Sequence, residues 1–162
     1  MMSDREFLMF AFKNDANALD YALMIAKIAD VWDNLIDGDK PVSSGKINQA
    51  FRWLAVDIPR NPFFRAYSDT LLPVIESGIL NWMIANRMEE DAGNTRALEI
   101  AHVIRYSIAD VLLIVARICG GAEWAVEVGP ELRMRSQRSD FKEYIDSLWA
   151  TKWNKSQENH HV

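Results

Sequence analysis

The sequence predicts an all-α protein, a compact bundle of about five to seven helices. Three observations lead there. Apolar residues recur at three- and four-residue spacing along most of the 162-residue chain, and no stretch alternates as a half-buried strand would. Capping residues, glycines and prolines divide that pattern into segments of helical length. The composition is 49% hydrophobic with six Trp, seven Phe and seven Met, which is enough to build a core without covalent staples.

Taken in order, Ser3 caps a short first helix through about Phe12. A second begins near Asn14 or Asp15 and runs to Asp37, where Gly38-Asp39-Lys40-Pro41 stops it. Ser43 or Ser44 caps a third through about Val56, and Pro59 breaks it. Asn61-Pro62 opens a long helix toward Glu90, with proline at the first position, where its missing N–H costs nothing. Pro73 should kink this helix by removing one backbone bond. Thr95, after Gly93-Asn94, caps the most apolar helix, which is expected to run unbroken to Gly120-Gly121. A short helix around Trp124, an irregular stretch from Pro130 to Gln137 and a Ser139-capped helix through about Trp153 follow. One domain over residues 1–155 and a frayed polar tail over 156–162 account for the chain. The kinked helix and the Thr95 helix are apolar around most of their circumference and belong at the centre. The remaining helices cannot cover both, so a homo-oligomer is expected, in the simplest case a twofold dimer.

Charge and composition exclude several functions. The net charge is −5 with no long basic run, so binding to nucleic acid through phosphates is not expected. The run from Ile108 to Ile118 contains Asp110 and Arg117 and falls short of the ~20 apolar residues a membrane span needs. The start, Met1-Met2-Ser3-Asp4-Arg5-Glu6, lacks the pattern of a secretory signal. Cys119 is the only cysteine, which permits neither an intrachain disulfide nor a cysteine zinc site. A soluble, cytoplasmic protein is the expectation. Loops of the Walker, dinucleotide-binding and nucleophile-elbow types are absent from the sequence.

Two groups of polar residues are candidates for chemistry. At about 100° per residue, Asp30, Asp33 and Asp37 share one face of the second helix, and three carboxylates on one face suit Mg²⁺. The segment Ala29 to Pro41 resembles the first aspartate-rich motif of trans-isoprenyl diphosphate synthases, in which clustered aspartates end a helix ahead of a basic Gly-x-Pro element. It departs from that motif in having Trp32-Asp33 for paired aspartates and Lys40 alone for paired arginines, and the chain is not assigned to the family. The resemblance implies a magnesium-bound phosphate or diphosphate. The same face also fits an amphipathic helix whose acids meet water, with Tyr21, Met24, Ile25, Ile28, Trp32, Leu35 and Ile36 opposite.

The second group lies on the central helices. Glu99, Tyr106, Asp110 and Arg117 align along the Thr95 helix, with His102 at the edge and Arg105 nearby. Arg65, Asp69, Glu76 and Arg87 align along the kinked helix. Charges of both signs in apolar surroundings predict a buried network of Asp69, Glu76, Glu99, His102, Arg105, Tyr106, Asp110 and Arg117, closed within the chain or against a symmetry mate. Within it Asp110 is expected to be buried against Arg65, Arg87 or a symmetry-related Arg117. Glu99-Ile100-Ala101-His102 also resembles the Glu-x-x-His element of ferritin-like di-iron bundles, which would join Glu76, Glu99 and His102 at a metal.

Two functional readings follow. The first is a non-catalytic, homo-oligomeric helical accessory or interaction protein without a cofactor. The alternative is a Mg²⁺-dependent enzyme acting on a phosphate or diphosphate substrate, with Asp30, Asp33 and Asp37 as ligands and Arg105 or Arg117 clamping phosphate oxygens.

Overall fold

The computed structural model describes residues 1–38 and 40–154, and among them there are helices and no strand. Asp39 and the tail at 156–162, with its two histidines, lie outside the described residues. The helices are α1 (Asp4–Ala11), α2 (Ala16–Asp37), α3 (Ser44–Arg52), a short α4 (Ile58–Arg60), α5 (Pro62–Met88), α6 (Thr95–Ile104), α7 (Ile108–Gly120), α8 (Ala122–Ser136) and α9 (Phe141–Leu148). Wide π turns at Trp53–Asp57 and Trp149–Trp153 extend α3 and α9.

Most starts and stops follow from local hydrogen bonding. Ser3 and Glu6 form a reciprocal capping box on α1. Asp15, Ser43 and Asn61 accept from backbone N–H groups three residues on, and Pro62 holds the first position of α5. Gly38 ends α2 in the left-handed conformation at φ 65°. Two caps sit one residue from the expected position: Asn94 caps α6 in place of Thr95, and Asp140 caps α9 in place of Ser139. The latter leaves the Ser139 carbonyl available to other partners.

The larger core joins α1, α2, the first half of α5, α7 and α8 around Phe12, Leu19, Tyr21, Leu71, Val115 and Leu132. Tyr21 stacks on Phe64 with ring centroids 5.7 Å apart. A smaller cluster packs Ala85 of α5 with Leu98 and Ala101 of α6 and with Tyr144, Leu148 and Trp153. Helix α5 contributes to both, which fits its central placement. Its kink is present, with the non-helical residue at Tyr67 (φ −126°, ψ 17°), upstream of Pro73. The Pro73 ring crowds the Asp69 carbonyl one turn back, so the break at Tyr67 falls two residues beyond the reach of that clash.

Three segments depart from the sequence reading. Pro59 does not break the third helix: the helical run continues through the π turn into α4, where Pro59 sits in the first turn, and ends at Arg60. The Thr95 helix is not continuous: Arg105–Ser107 form a turn that separates α6 from α7. The Ser107 hydroxyl donates to the Ile104 carbonyl at 2.6 Å and accepts from Asn81 Nδ2 at 3.0 Å. Its Cβ lies 3.7 Å from where a Cβ on Gly78 would stand, so α5 and the turn approach closely. Competition from Ser107 and the pull of Asn81 replace i→i−4 bonds by i→i−3 bonds from Tyr106 and Asp110. In the other direction, the stretch from Pro130 is helical, inside α8. The carbonyl that Pro130 leaves unbonded belongs to Val126, which is exposed, so water can serve it. Gly120 is required where it stands, because a Cβ there would lie 2.1 Å from the Trp124 ring, whose indole N–H donates to the Ala11 carbonyl.

Candidate functional site

The most polar concentration in the fold gathers at the C-terminal end of α5. Glu89, the C-cap residue, is 1% exposed, the most deeply buried acid of the described residues. Its Oε1 accepts from Arg105 Nη1 at 2.6 Å and from the Tyr144 hydroxyl at 2.7 Å, and its Oε2 lies 3.4 Å from Lys152 Nζ. Its backbone carbonyl accepts from the Trp153 indole at 2.8 Å. The π turn after α9 brings both Lys152 and Trp153 onto Glu89, since a widened turn re-aims the side chains it carries. A buried carboxylate is expensive unless it is paired and hydrogen-bonded, and here it is both.

Arg105 is the second hub. Besides Glu89 it reaches Asn86 Oδ1 at 3.0 Å, Asp33 Oδ1 at 3.2 Å and Asp37 Oδ2 at 2.8 Å. Burial works against its charge, but the carboxylates of Glu89, Asp33 and Asp37 outweigh burial and hold its pKa above the usual value. Asp33 also accepts the Trp82 indole N–H at 2.7 Å, and Trp82 packs against Trp32 with centroids 4.1 Å apart. Burial, followed by the hydrogen bond to Glu89, pushes the Tyr144 phenol well above its ordinary range. Asp33, Asp37, Asn86, Glu89, Arg105, Tyr144 and Lys152 line an open cleft of about 760 Å³, joined by Arg87, Glu90, Tyr106, Ser139 and Glu143.

The predicted residues are distributed unevenly around this cluster. Asp33 and Asp37 belong to it, held by Arg105, so the face of α2 that carries them meets protein as well as water. Asp30 pairs separately with Arg138 at 2.6 Å, an exposed bridge. Among the described residues no group of three or more His, Cys, Asp or Glu side chains is arranged to hold a metal ion. The apolar arc opposite is covered only in part: Leu35 and Ile36 are exposed.

Of the eight residues in the predicted network, His102, Arg105 and Tyr106 are enclosed. His102 is buried, with Nε2 2.9 Å from the Ser139 carbonyl, and its ring stacks on Tyr144 at 4.8 Å. The Tyr106 hydroxyl lies 3.3 Å from Ser139 Oγ. Asp69, Glu76, Glu99 and Arg117 are exposed on the protomer and are not part of a buried network within the chain. The turn at Arg105–Ser107 resets the helical phase, so Glu99 of α6 no longer aligns with Asp110 and Arg117, which lie together on α7. Within α6 itself Glu99 points to solvent while His102 is buried, and Glu76 is exposed on α5, so the three do not converge as a Glu-x-x-His metal site. Asp110 is half-exposed and pairs with Arg133 of α8, not with Arg65, Arg87 or Arg117.

Glu89 escaped the sequence reading. Its one signal was position: Glu89, Glu90 and Asp91 follow the last turn of α5, where the negative end of the helix dipole disfavours acids. No helix of the described residues is long and apolar enough to cross a membrane. Compared with family models, curated proteins and solved structures, the chain has no significant match.

Proposed function

We propose that this chain is a non-catalytic helical interaction module that acts as a homo-oligomer. The observation that carries this reading is the outer face of α5. Leu72, Ile79, Leu80, Met83 and Ile84 are each 43–55% exposed there, and Ile100 and Val103 of the neighbouring α6 are exposed as well. A cluster of large aliphatic side chains over about three turns of one helix, continued by two more on its neighbour, is more apolar surface than a monomer normally leaves in water. Ile47, Phe51 and Leu54 make a second, smaller exposed row along α3 and its π turn. The polar cleft supports the same reading. Its cation Arg105 is committed to three carboxylates, and Lys152 is engaged by Glu89 and by the Asn86 carbonyl at 2.9 Å. A cluster neutralised in this way fixes how α2, α5, the Arg105 turn and α9 are held together.

Light scattering tests the proposal. The expected result is a mass above the 18.6 kDa of one chain at micromolar concentrations, falling on dilution. Ile79→Glu should shift the population to monomer, with a loss of melting temperature no larger than dissociation itself brings, because the side chain is half-exposed in the protomer. A parent chain that stays at 18.6 kDa across that range overturns the proposal.

A further inference from the structure

The α5 face carries charges as well as aliphatics, and their spacing defines a partner. Asp69 and Arg87 are exposed, and among the described residues neither takes part in an ion pair. They are eighteen residues apart, five full helical turns, so they stand on the same line of the helix about 27 Å apart. The run between them is regular, since the only non-helical residue of α5 is Tyr67, before Asp69.

From this we infer that α5 pairs antiparallel with α5 of a second copy, in a single register centred near residue 78. The inference rests on the homo-oligomer reading above. A twofold axis at that point sets Asp69 of one copy opposite Arg87 of the other, and by symmetry the same pair forms twice. The register then places Leu72 beside Met83 of the second copy and Pro73 beside its Ile84. Ile79 comes to lie next to its own copy at the axis. In an antiparallel pair, residues on one flank of a helix meet the same flank of the other. Asp69 and Arg87 stand near the midline of the face, Pro73 and Ile84 share one flank, and Leu72, Ile79 and Met83 share the other. Charge meets opposite charge at both ends and aliphatic meets aliphatic between them. Glu76 alone has no cation opposite it; it faces Leu80 of the second copy and lies within two turns of its own symmetry mate.

A second copy suits the face better than a foreign partner because the face is complementary to itself. An unrelated partner would have to supply an acid and a base at the same spacing and in opposite order. Register also explains why the exposed polar stripe of α5 is retained among aliphatics: oppositely charged ends oppose slipped or parallel pairings.

Sedimentation equilibrium on the full chain tests the register. Asp69→Arg and Arg87→Asp each create two like-charge contacts per dimer and should raise the dimer Kd about tenfold or more at low salt, less at high salt. Combining the two reverses both signs and should return the Kd to within about threefold of the parent. Glu76→Gln should tighten the dimer. A parent dimer that ignores the single reversals, or a double variant as weak as the singles, overturns the register while leaving self-association standing. A parent chain that is monomeric throughout, or that sediments as a complex only with another protein, overturns both.

Discussion

Removing the Glu89 carboxylate is the most demanding perturbation of this fold. Glu89→Ala leaves Arg105 Nη1, the Tyr144 hydroxyl and Lys152 Nζ without their shared acceptor. Lys152 is about one-third exposed and can turn to water at small cost. Arg105 keeps Asp33, Asp37 and Asn86, so it is under-paired without being abandoned. Tyr144 is 5% exposed, and its orphaned hydroxyl alone costs about 1–3 kcal/mol. Breaking a buried ion pair from one side costs about 3–5 kcal/mol. The two penalties share one carboxylate and do not add, which makes a loss of about 3–5 kcal/mol the expectation. For a domain whose whole stability is about 5–15 kcal/mol, that is a large fraction. Urea denaturation at constant m-value resolves it. The internal reference is Asp110→Ala, which removes a half-exposed bridge to Arg133 and should cost no more than about 1 kcal/mol. If Glu89→Ala costs no more than Asp110→Ala, Glu89 is not the buried hub described here and the reasoning fails.

Three other outcomes follow from the same cluster. Tyr144→Phe should lose about 1.5–3 kcal/mol at neutral pH, the range for a hydrogen bond to a charged acceptor. The folded-state pKa of Tyr144 is raised, so its contribution is complete below the unfolded value of about 10 and is lost as pH rises further. The parent should therefore lose stability above that pH more steeply than the Phe variant, and equal alkaline slopes would contradict the assignment. Asp33→Asn should destabilise by roughly 1 kcal/mol, since Arg105 keeps its other partners, and should shift Trp82 fluorescence because the indole bonds to that carboxylate. Millimolar Mg²⁺ should leave the parent's melting temperature unchanged. A rise abolished by Asp33→Asn would restore the magnesium reading of the α2 face.

What the sequence made legible was what neighbouring residues decide. Ser3 with Glu6, Asp15, Asn61 with Pro62, and Gly38 act on backbone groups within four residues, and each marks its helix end as expected. Of the two misplaced caps, Asn94 and Asp140 are as good as the residues first assigned and stand beside them, so local propensity could not choose. The break at Ser107 depends on Asn81, twenty-six residues away, and its main local cue was a serine among aliphatics. Glu89 was harder still: its partners lie sixteen, fifty-five and sixty-three residues distant.

Periodicity shows which residues share a face but not what that face meets, and both candidate stripes turn on this distinction. On α2 the acids were weighed between metal and water, and Asp33 and Asp37 instead meet Arg105, a cation displayed by a turn the pattern did not foresee. Arg105 itself was legible as a charge needing partners in apolar surroundings; the identity of those partners was not. On α5 the aligned charges were read as buried because their helix is apolar around most of its circumference. In the protomer they lie outside, among aliphatics that are also outside. Burial of those charges required the rest of the chain to cover that face, and it does not. For the dimer proposed above, the acid at Asp69 and the base at Arg87 five turns on are what would choose the register, because a surface with opposite charges at its two ends is complemented by its own antiparallel copy.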